Sequence, residues 1–289
     1  MRVIDKIRSG RPCLSFEVFP PKTSDKFDSV KEATEQIAAL KPDFMSVTYG
    51  AGGGTSEFTL NIAQNIEKKF GVPALAHLTC VSSTKEQVKA QIEKLKADGI
   101  ENILALRGDI PQDFDRSKME FHHASELIEC IRQYGDFCIG GACYPEGHTE
   151  CETLAKDIEH LKLKEEAGCS FFTTQMFFDN NILYSFLYKI RDAGITVPIV
   201  AGIMPVTNAN QIKRITNLSG TFVPARFRAI VERFGNDPKA MKQAGIAYAT
   251  EQVIDLLANG VNAVHIYSMN KPDVAAKIKE NLSDILEQA

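Results

Sequence analysis

The sequence predicts an α/β fold: an eight-stranded parallel (β/α)8 TIM barrel, a single domain over residues 1–289. Short apolar segments alternate with longer helical patterns down the whole chain, as crossover helices on a parallel sheet require. Helices repeatedly run out at a glycine with a strand a few residues on, in Asp98-Gly99-Ile100, Ala167-Gly168-Cys169, Ala193-Gly194-Ile195 and Asn259-Gly260-Val261. That is the hinge of a left-handed C-cap. Polar residues along the strand candidates also keep one parity, so that one face of the sheet is polar and the other apolar. No Pro/Ser-rich linker or shift of composition divides the chain.

Taken in order, the strands begin near Cys13, Phe44, Ala74, Asn102, Cys138, Phe171, Ile199 and Ala263. Helical periodicity predicts helices from roughly Asp25 to Leu40, Thr55 to Phe70, Thr84 to Asp98, His123 to Tyr134, Glu150 to Ala167, Asn181 to Ala193, Asn208 to Leu218 and Pro272 to Glu287. Two more, near Pro224 to Phe234 and Pro238 to Asn259, occupy the longer gap before the last strand. Thr84-Lys85-Glu86-Gln87 and Thr149-Glu150-Cys151-Glu152 both have the capping-box form that closes a first helical turn.

Composition narrows the function. With 44% hydrophobic and 24% charged residues the chain can bury a sizeable core. A net charge of −4 and the lack of any Lys/Arg run argue against nucleic acid or an anionic membrane as partner. The N-terminus carries no signal-type apolar stretch and no run approaches the roughly 20 apolar residues of a membrane span, which predicts a cytoplasmic protein. The 7 cysteines are an odd number without a C-x-x-C pair and read as reduced core residues. His77, Cys80, His148 and Cys151 lack the tight spacing of a metal centre, so no metal is expected.

The parity rule points to the site. Ser15 and Glu17, Ser46 and Thr48, His77 and Thr79, Arg107 and Asp109, Tyr144, Thr173 and Gln175, and His265 and Tyr267 form the inward set. Phe16, Val18, Val47, Leu78, Leu104, Leu106, Phe172, Val264 and Ile266 form the outward one. The inward polar residues fall late in their strands, at the C-terminal mouth where barrel active sites are built. Glu17 sits inside the apolar run Leu14-Ser15-Phe16-Glu17-Val18-Phe19, ended by Pro20-Pro21. A carboxylate stripped of water there either is paired or holds a proton at neutral pH, as a general acid does.

Other segments carry two readings each. Gly50-Ala51-Gly52-Gly53-Gly54-Thr55 is an incomplete dinucleotide fingerprint and reads as a loop at the barrel mouth. Leu106-Arg107-Gly108-Asp109 sets opposite charges at a strand end, either an internal salt bridge or a place for a flat or phosphorylated ligand. His77 donates to a ligand oxygen or bonds a neighbour. Tyr144-Pro145-Glu146-Gly147-His148 suits an aromatic cofactor or an ordinary loop, and Gln175 among aromatics needs a hydrogen-bonding partner.

Phe16-Glu17-Val18-Phe19-Pro20-Pro21-Lys22-Thr23, Ser46-Val47-Thr48-Tyr49-Gly50-Ala51, His77-Leu78-Thr79-Cys80, Ala105-Leu106-Arg107-Gly108-Asp109, Tyr144-Pro145-Glu146-Gly147-His148, Thr174-Gln175-Met176-Phe177-Phe178-Asp179 and Gly202-Ile203-Met204-Pro205-Val206 occur in the order of the motifs of the bacterial methylenetetrahydrofolate reductases, which the chain resembles over nearly its whole length. The resemblance implies a barrel that reduces methylenetetrahydrofolate with FAD and with NADH or NADPH, both substrates using one place in turn. It implies Glu17 as the general acid that opens the folate ring and Asp109 beside flavin and pterin. Gln175, Gln211, Tyr267 and Lys271 would meet the substrate. FAD would be held by Thr48, Tyr49, His77, Arg107, Gly108, Asp109, Ala124, Ala142, Tyr144, His148, Asp157 and Lys164.

A homo-oligomer without the regulatory domain of eukaryotic members is the expected assembly. Lys271 stands where the family carries arginine, Ile215 where a phenylalanine often packs over substrate, and His160 and Leu163 where Asn and Arg would flank the FAD phosphates. Competing readings are a folate- or flavin-binding subunit without turnover and a flavin barrel fed by a protein electron donor. A metal-dependent hydrolase stands further off.

Overall fold

A computed structural model describes residues 1–21, 23–49, 56–111 and 113–287. Eight parallel strands, β1 (Cys13–Val18), β2 (Phe44–Val47), β3 (Ala74–Thr79), β4 (Asn102–Leu106), β5 (Cys138–Cys143), β6 (Phe171–Thr174), β7 (Ile199–Ile203) and β8 (Ala263–Tyr267), pair in chain order and close between β8 and β1. Every strand begins at the predicted residue. The crossovers carry α2 (Phe27–Ala38), α3 (Ser56–Phe70), α4 (Lys85–Ala97), α5 (Ala124–Tyr134), α6 (Leu154–Glu166), α7 (Asn180–Asp192) and α8 (Ala209–Ser219). After α8 come α9 (Ala225–Phe234) and α10 (Pro238–Ala258), and after β8 come α11 (Pro272–Asn281) and α12 (Ser283–Leu286). The glycine loop read at 50–55 and Lys22 lie outside the described residues.

The local signals hold with one exception. Thr84 caps α4 by accepting from Gln87 N at 3.2 Å while Gln87 Oε1 accepts from Thr84 N at 2.9 Å, a complete capping box. The box expected at Thr149 does not form, because residues 149–152 make turns and α6 starts later, where Thr153 accepts from Lys156 N at 3.2 Å. The hinge glycines adopt the left-handed conformation, as at Gly168 (φ 112°) and Gly260 (φ 82°). Among the described residues no helix is long and apolar enough to cross a membrane.

One short helix escaped the sequence reading. α1 (Val3–Ile7) lies across the N-terminal end of the barrel, where Val3 and Ile7 pack with Cys13, Phe44, Leu75, Leu104, Cys138, Phe171, Val200 and Ala263. Asn102 ties it down: its Oδ1 accepts from Val3 N at 2.7 Å, and its Nδ2 donates to Met1 O and Ala74 O at 3.1 Å each. The lower half of the axis is therefore dry and apolar, and the polar interior is confined to the C-terminal half. The same cluster corrects the parity of β4. Leu104 and Leu106 face the axis, while Ile103 and Ala105 join the core under the helices. Because the strand ends at Leu106, Arg107 and Asp109 belong to the loop after it rather than to the inward row.

Glycines on the axis make room for large neighbours. Tyr267 reaches across β7 to donate its hydroxyl proton to Thr174 O at 2.5 Å. Only a glycine at 202 leaves that path open, since a Cβ there would lie 2.4 Å from both Tyr267 Oη and Thr174 O. Gly202→Ala should therefore overpack the barrel and cost about 1–3 kcal/mol of stability. Thermal unfolding should register it as a midpoint several degrees lower, and an unchanged midpoint would mean that Tyr267 is free to move aside.

Candidate functional site

The C-terminal mouth gathers most of the inward residues. Register pairs Glu17 of β1 with Ser46 of β2 on one side and with Tyr267 of β8 on the other, so it belongs to an interior strand and not to an edge. Its side chain is 20% exposed, facing the mouth. Burial pushes its pKa up to about 8, opposed in part by the Ser46 hydroxyl. Opposite it stands His77, whose Nε2 is 3.8 Å from Glu17 Oε2, beyond hydrogen-bond length. Burial drives the His77 pKa down to about 3, so the imidazole is neutral. The paired-carboxylate reading of Glu17 therefore fails against this neighbour, and a proton-bearing acid faces a neutral base.

Two buried polar atoms here lack a hydrogen-bond partner, His77 Nε2 and Thr173 Oγ1. Buried groups of this kind are normally satisfied. Half-buried Gln175 lies at the end of β6 with its Oε1 engaged by Met176 N at 2.9 Å, leaving the amide NH2 for another partner. Tyr144 stands edge-on to His148 with ring centroids 4.6 Å apart. Burial first, and then Asp109 and Asp157, raise its hydroxyl to about 12. A planar heterocycle with donor and acceptor edges would complete these groups.

The loops after β4 and β5 gather charge. Arg107 does not bridge to Asp109: its Nη1 donates to Glu150 at 2.6 Å and its Nε to Gly108 O at 3.1 Å, while Asp109 is exposed. Gly108 takes a left-handed turn (φ 88°) that lets Arg107 O accept from Val81 N at 2.8 Å. His148 N donates to buried Asp157 at 3.0 Å, and His148 Nδ1 accepts from Glu150 N at 3.1 Å, which puts any ring proton on Nε2. Lys164 donates to Ala142 O at 2.9 Å, and burial lowers its pKa. Ala124 is buried at the start of α5, close to this group in the barrel order. Guanidinium, ammonium and imidazole N–H on adjoining elements form a surface suited to a diphosphate.

Thr48 and Tyr49 follow β2. Thr48 N donates to Val18 O at 3.0 Å, Thr48 O accepts from Thr59, and the Tyr49 hydroxyl accepts from Gln91 at 2.6 Å. Tyr49, His77, Thr59 and Gln91 border a cavity of about 270 Å³ between α3 and α4. A more open cleft of about 360 Å³ between α2 and α3 lies on the outer surface, away from the mouth. His77, Cys80, His148 and Cys151 are not brought together as a metal set. Among the described residues the ligand atoms within 4.8 Å of one another are those of Cys151, Asp157 and His160.

On the far rim, Lys271 donates to Thr207 Oγ1 at 2.7 Å, and burial lowers its pKa. Gln211 uses its Oε1 to accept from Thr207 N at 2.9 Å and Asn208 N at 3.0 Å, the capping box of α8. Ile215 is buried in a cluster with Phe178 and Phe227. Sequence reasoning missed Thr207 and Glu150, whose partners lie far off in the chain. It noted Ser15, Ser46 and His265 only as inward polar residues.

The family model for methylenetetrahydrofolate reductase matches residues 2–283. The chain is 37% identical to methylenetetrahydrofolate reductase (NADH) 1 of Arabidopsis thaliana over 99% of its own length and 52% of that protein's, so it spans about half of the plant relative. It is 35% identical to 5,10-methylenetetrahydrofolate reductase of Pectobacterium carotovorum subsp. carotovorum, covering 94% of this chain and 91% of that one. Among solved structures, an uncharacterized protein from Clostridium thermocellum that binds two copies of 5-methyl-5,6,7,8-tetrahydrofolic acid superposes with a TM-score of 0.63 at 17% identity, over 98% of this chain and 97% of its own, a likeness of fold. The motifs along the strands, the closed barrel that carries them and these alignments agree, and the chain belongs to the methylenetetrahydrofolate reductase family.

Proposed function

We propose that the protein reduces 5,10-methylenetetrahydrofolate to 5-methyltetrahydrofolate, with FAD as cofactor and NADH or NADPH as hydride source. The observation that carries the reading is Glu17, inward at the mouth of a barrel of this family with its pKa raised by burial to about 8, facing the neutral His77 whose Nε2 has no hydrogen-bond partner. The folate bound by the Clostridium thermocellum protein and the names of the bacterial relatives favour the substrate, and the names of the plant relatives favour NADH. A homo-oligomer in the cytoplasm is part of the same proposal.

The residues present fit FAD. His77, Thr48, Tyr49 and Tyr144 would receive its ring system, and Arg107, Gly108, Asp109, Ala124, Ala142, His148, Asp157 and Lys164 the remainder. Bound there, FAD would supply two-electron hydride-transfer chemistry between nicotinamide and folate. The chain's own groups do the rest. Glu17 gives its proton to the folate nitrogen that leaves the methylene carbon, so the C–N bond breaks and an iminium is left to accept hydride. A carboxyl with a raised pKa can make that transfer at neutral pH, where an ordinary glutamate has already lost its proton. Gln175 offers its amide NH2 to an acceptor on the pterin edge, and Tyr267 holds one wall, its hydroxyl anchored on Thr174 O. Lys271 sets a point charge at the rim for a carboxylate. Since one mouth receives both substrates, nicotinamide must leave before folate enters.

Purified protein should be yellow, should release FAD on denaturation, and should lose its colour with NADH or NADPH and regain it on adding the folate. A chain that neither carries nor takes up FAD would refute the proposal. Glu17→Gln should leave nicotinamide oxidation largely intact and slow folate reduction by about 10²–10⁴-fold; an equal loss in both half-reactions, read by anaerobic stopped flow, would make Glu17 structural. Because the acid form is the active one, folate reduction should hold level at low pH and decline as pH rises through about 8. That decline should be missing in Glu17→Gln.

A further inference from the structure

Three side chains of different chemistry meet where the chain enters α6. Cys151 lies in the turns before that helix, and Asp157 and His160 follow on it at a spacing that puts both on one face. The Cys151 Sγ, one Asp157 carboxylate oxygen and one His160 ring nitrogen lie within 4.8 Å of one another. A tetrahedral ion with bonds of about 2.0–2.3 Å holds its ligand atoms roughly 3.3–3.8 Å apart, so a closure of no more than about 1.5 Å completes the set.

Asp157 is the buried member. Its residue is 5% exposed, yet among the described residues the carboxylate makes no ion pair, and the hydrogen bond it accepts comes from His148 N at 3.0 Å. Lys164, two turns further along α6, donates to Ala142 O instead. A buried carboxylate is ordinarily matched by a cation or bound to a metal, and its oxygens have room for an amide and an ion together. Cys151 and His160 are half-buried, which leaves an ion a way in from solvent. Among the described residues neither the Cys151 thiol nor the His160 ring makes a hydrogen bond; the ring stands against that of His123, centroids 5.5 Å apart. The backbone already draws the set together, because His148 N donates to Asp157 while His148 O accepts from Cys151 N at 2.9 Å.

We infer that Cys151, Asp157 and His160 form a binding site for a divalent ion of the zinc class, with the fourth position left to water. Thiolate and imidazole suit zinc, whereas magnesium and calcium take oxygen ligands. On binding, the Cys151 S–H bond breaks, a sulfur–metal bond forms and the proton passes to water, with no change of oxidation state. A dication enters and one proton leaves, so the local charge rises by one. The ion would fasten the turns that carry His148 and Glu150 to α6, and Glu150 is the partner of Arg107. Its part is to hold that loop, and the inference does not rest on the proposed reaction.

The full chain as purified, freed of metal with a chelator and titrated with Zn²⁺ by calorimetry, should bind one equivalent. Zinc X-ray absorption should then show one sulfur at about 2.3 Å among nitrogen and oxygen neighbours at about 2.0–2.2 Å. Cys151→Ser should remove the sulfur or abolish binding, and His160→Ala should weaken binding by at least the roughly 10–100-fold that loss of an outer partner costs. Cys130→Ser, at another half-buried cysteine, should bind zinc as the parent does. No stoichiometric zinc, a shell without sulfur, a sulfur that survives Cys151→Ser, or an equal loss in Cys130→Ser would overturn the site. None of these readings uses nicotinamide or folate, so the site can fail while the proposed reductase stands, and the reverse.

Discussion

Closure of the ladder between β1 and β8 is the constraint on which the site depends. It sets Ser15 against His265 and Glu17 against Tyr267, while the β1–β2 ladder sets Glu17 against Ser46. Side chains alternate across a strand, so a slip of one residue in β1 would turn Glu17 out among the helices and bring Phe16 or Val18 to the axis. Phe16 and Val18 are wholly buried in the core beneath the helices, and their burial is what makes such a slip costly. The Glu17 carboxyl is thus held in place at the mouth by hydrophobic residues packed beneath the helices.

The floor of the barrel serves the same end. α1 and the ring of apolar side chains beneath the polar layer exclude water from below, and Asn102 satisfies the backbone that this helix brings inside. Burial then acts in opposite senses on neighbouring groups. It favours the proton on Glu17 and removes it from His77 and His265, because in each case the neutral form is the cheaper one to bury. An acid and neutral imidazoles coexist within a few ångströms without ion pairing, and no exact placement of charges is required to keep them so.

Much of this was legible in the sequence, and the reasons for the rest are physical. Strand starts were readable because each follows a helix-ending glycine or a turn and opens a run of apolar residues, signals that need no tertiary contact. Glu17, His77, Thr173 and Gln175 stood out because their parity matched their neighbours. Parity misled at β4, where the strand ends at Leu106 and the chain turns at Gly108, so that counting onward to Arg107 and Asp109 continued an alternation that had already stopped. The Thr149 motif failed because a capping box is equally at home in the turns that precede α6, and Thr153 competes for the same role. α1 was missed because a five-residue helix carries too little periodicity to be read, and its stability comes from the barrel it covers. The partner of Arg107 could not be guessed, since Glu150 is distant in sequence and only the β5–α6 loop brings it near.

The rim formed by the loops after β7 and β8 differs from the expected pattern, yet its organisation is coherent. Lys271, Thr207 and Gln211 form a connected set: the ammonium donates to the Thr207 hydroxyl, and the Thr207 amide donates to Gln211. The oxygen of Gln211 is committed to the first turn of α8, so only its amide NH2 is left for a substrate, which limits it to meeting an acceptor. Lysine in place of arginine gives up the planar fork but keeps a charge that one hydroxyl can orient, and partial burial lowers its pKa, a shift that an arriving anion would oppose. A carboxylate entering the mouth would therefore be met by a cation that its own approach stabilises. The rim thus offers a charge and a fixed donor, while Ile215 packs with Phe178 and Phe227 and adds no aromatic ring to it.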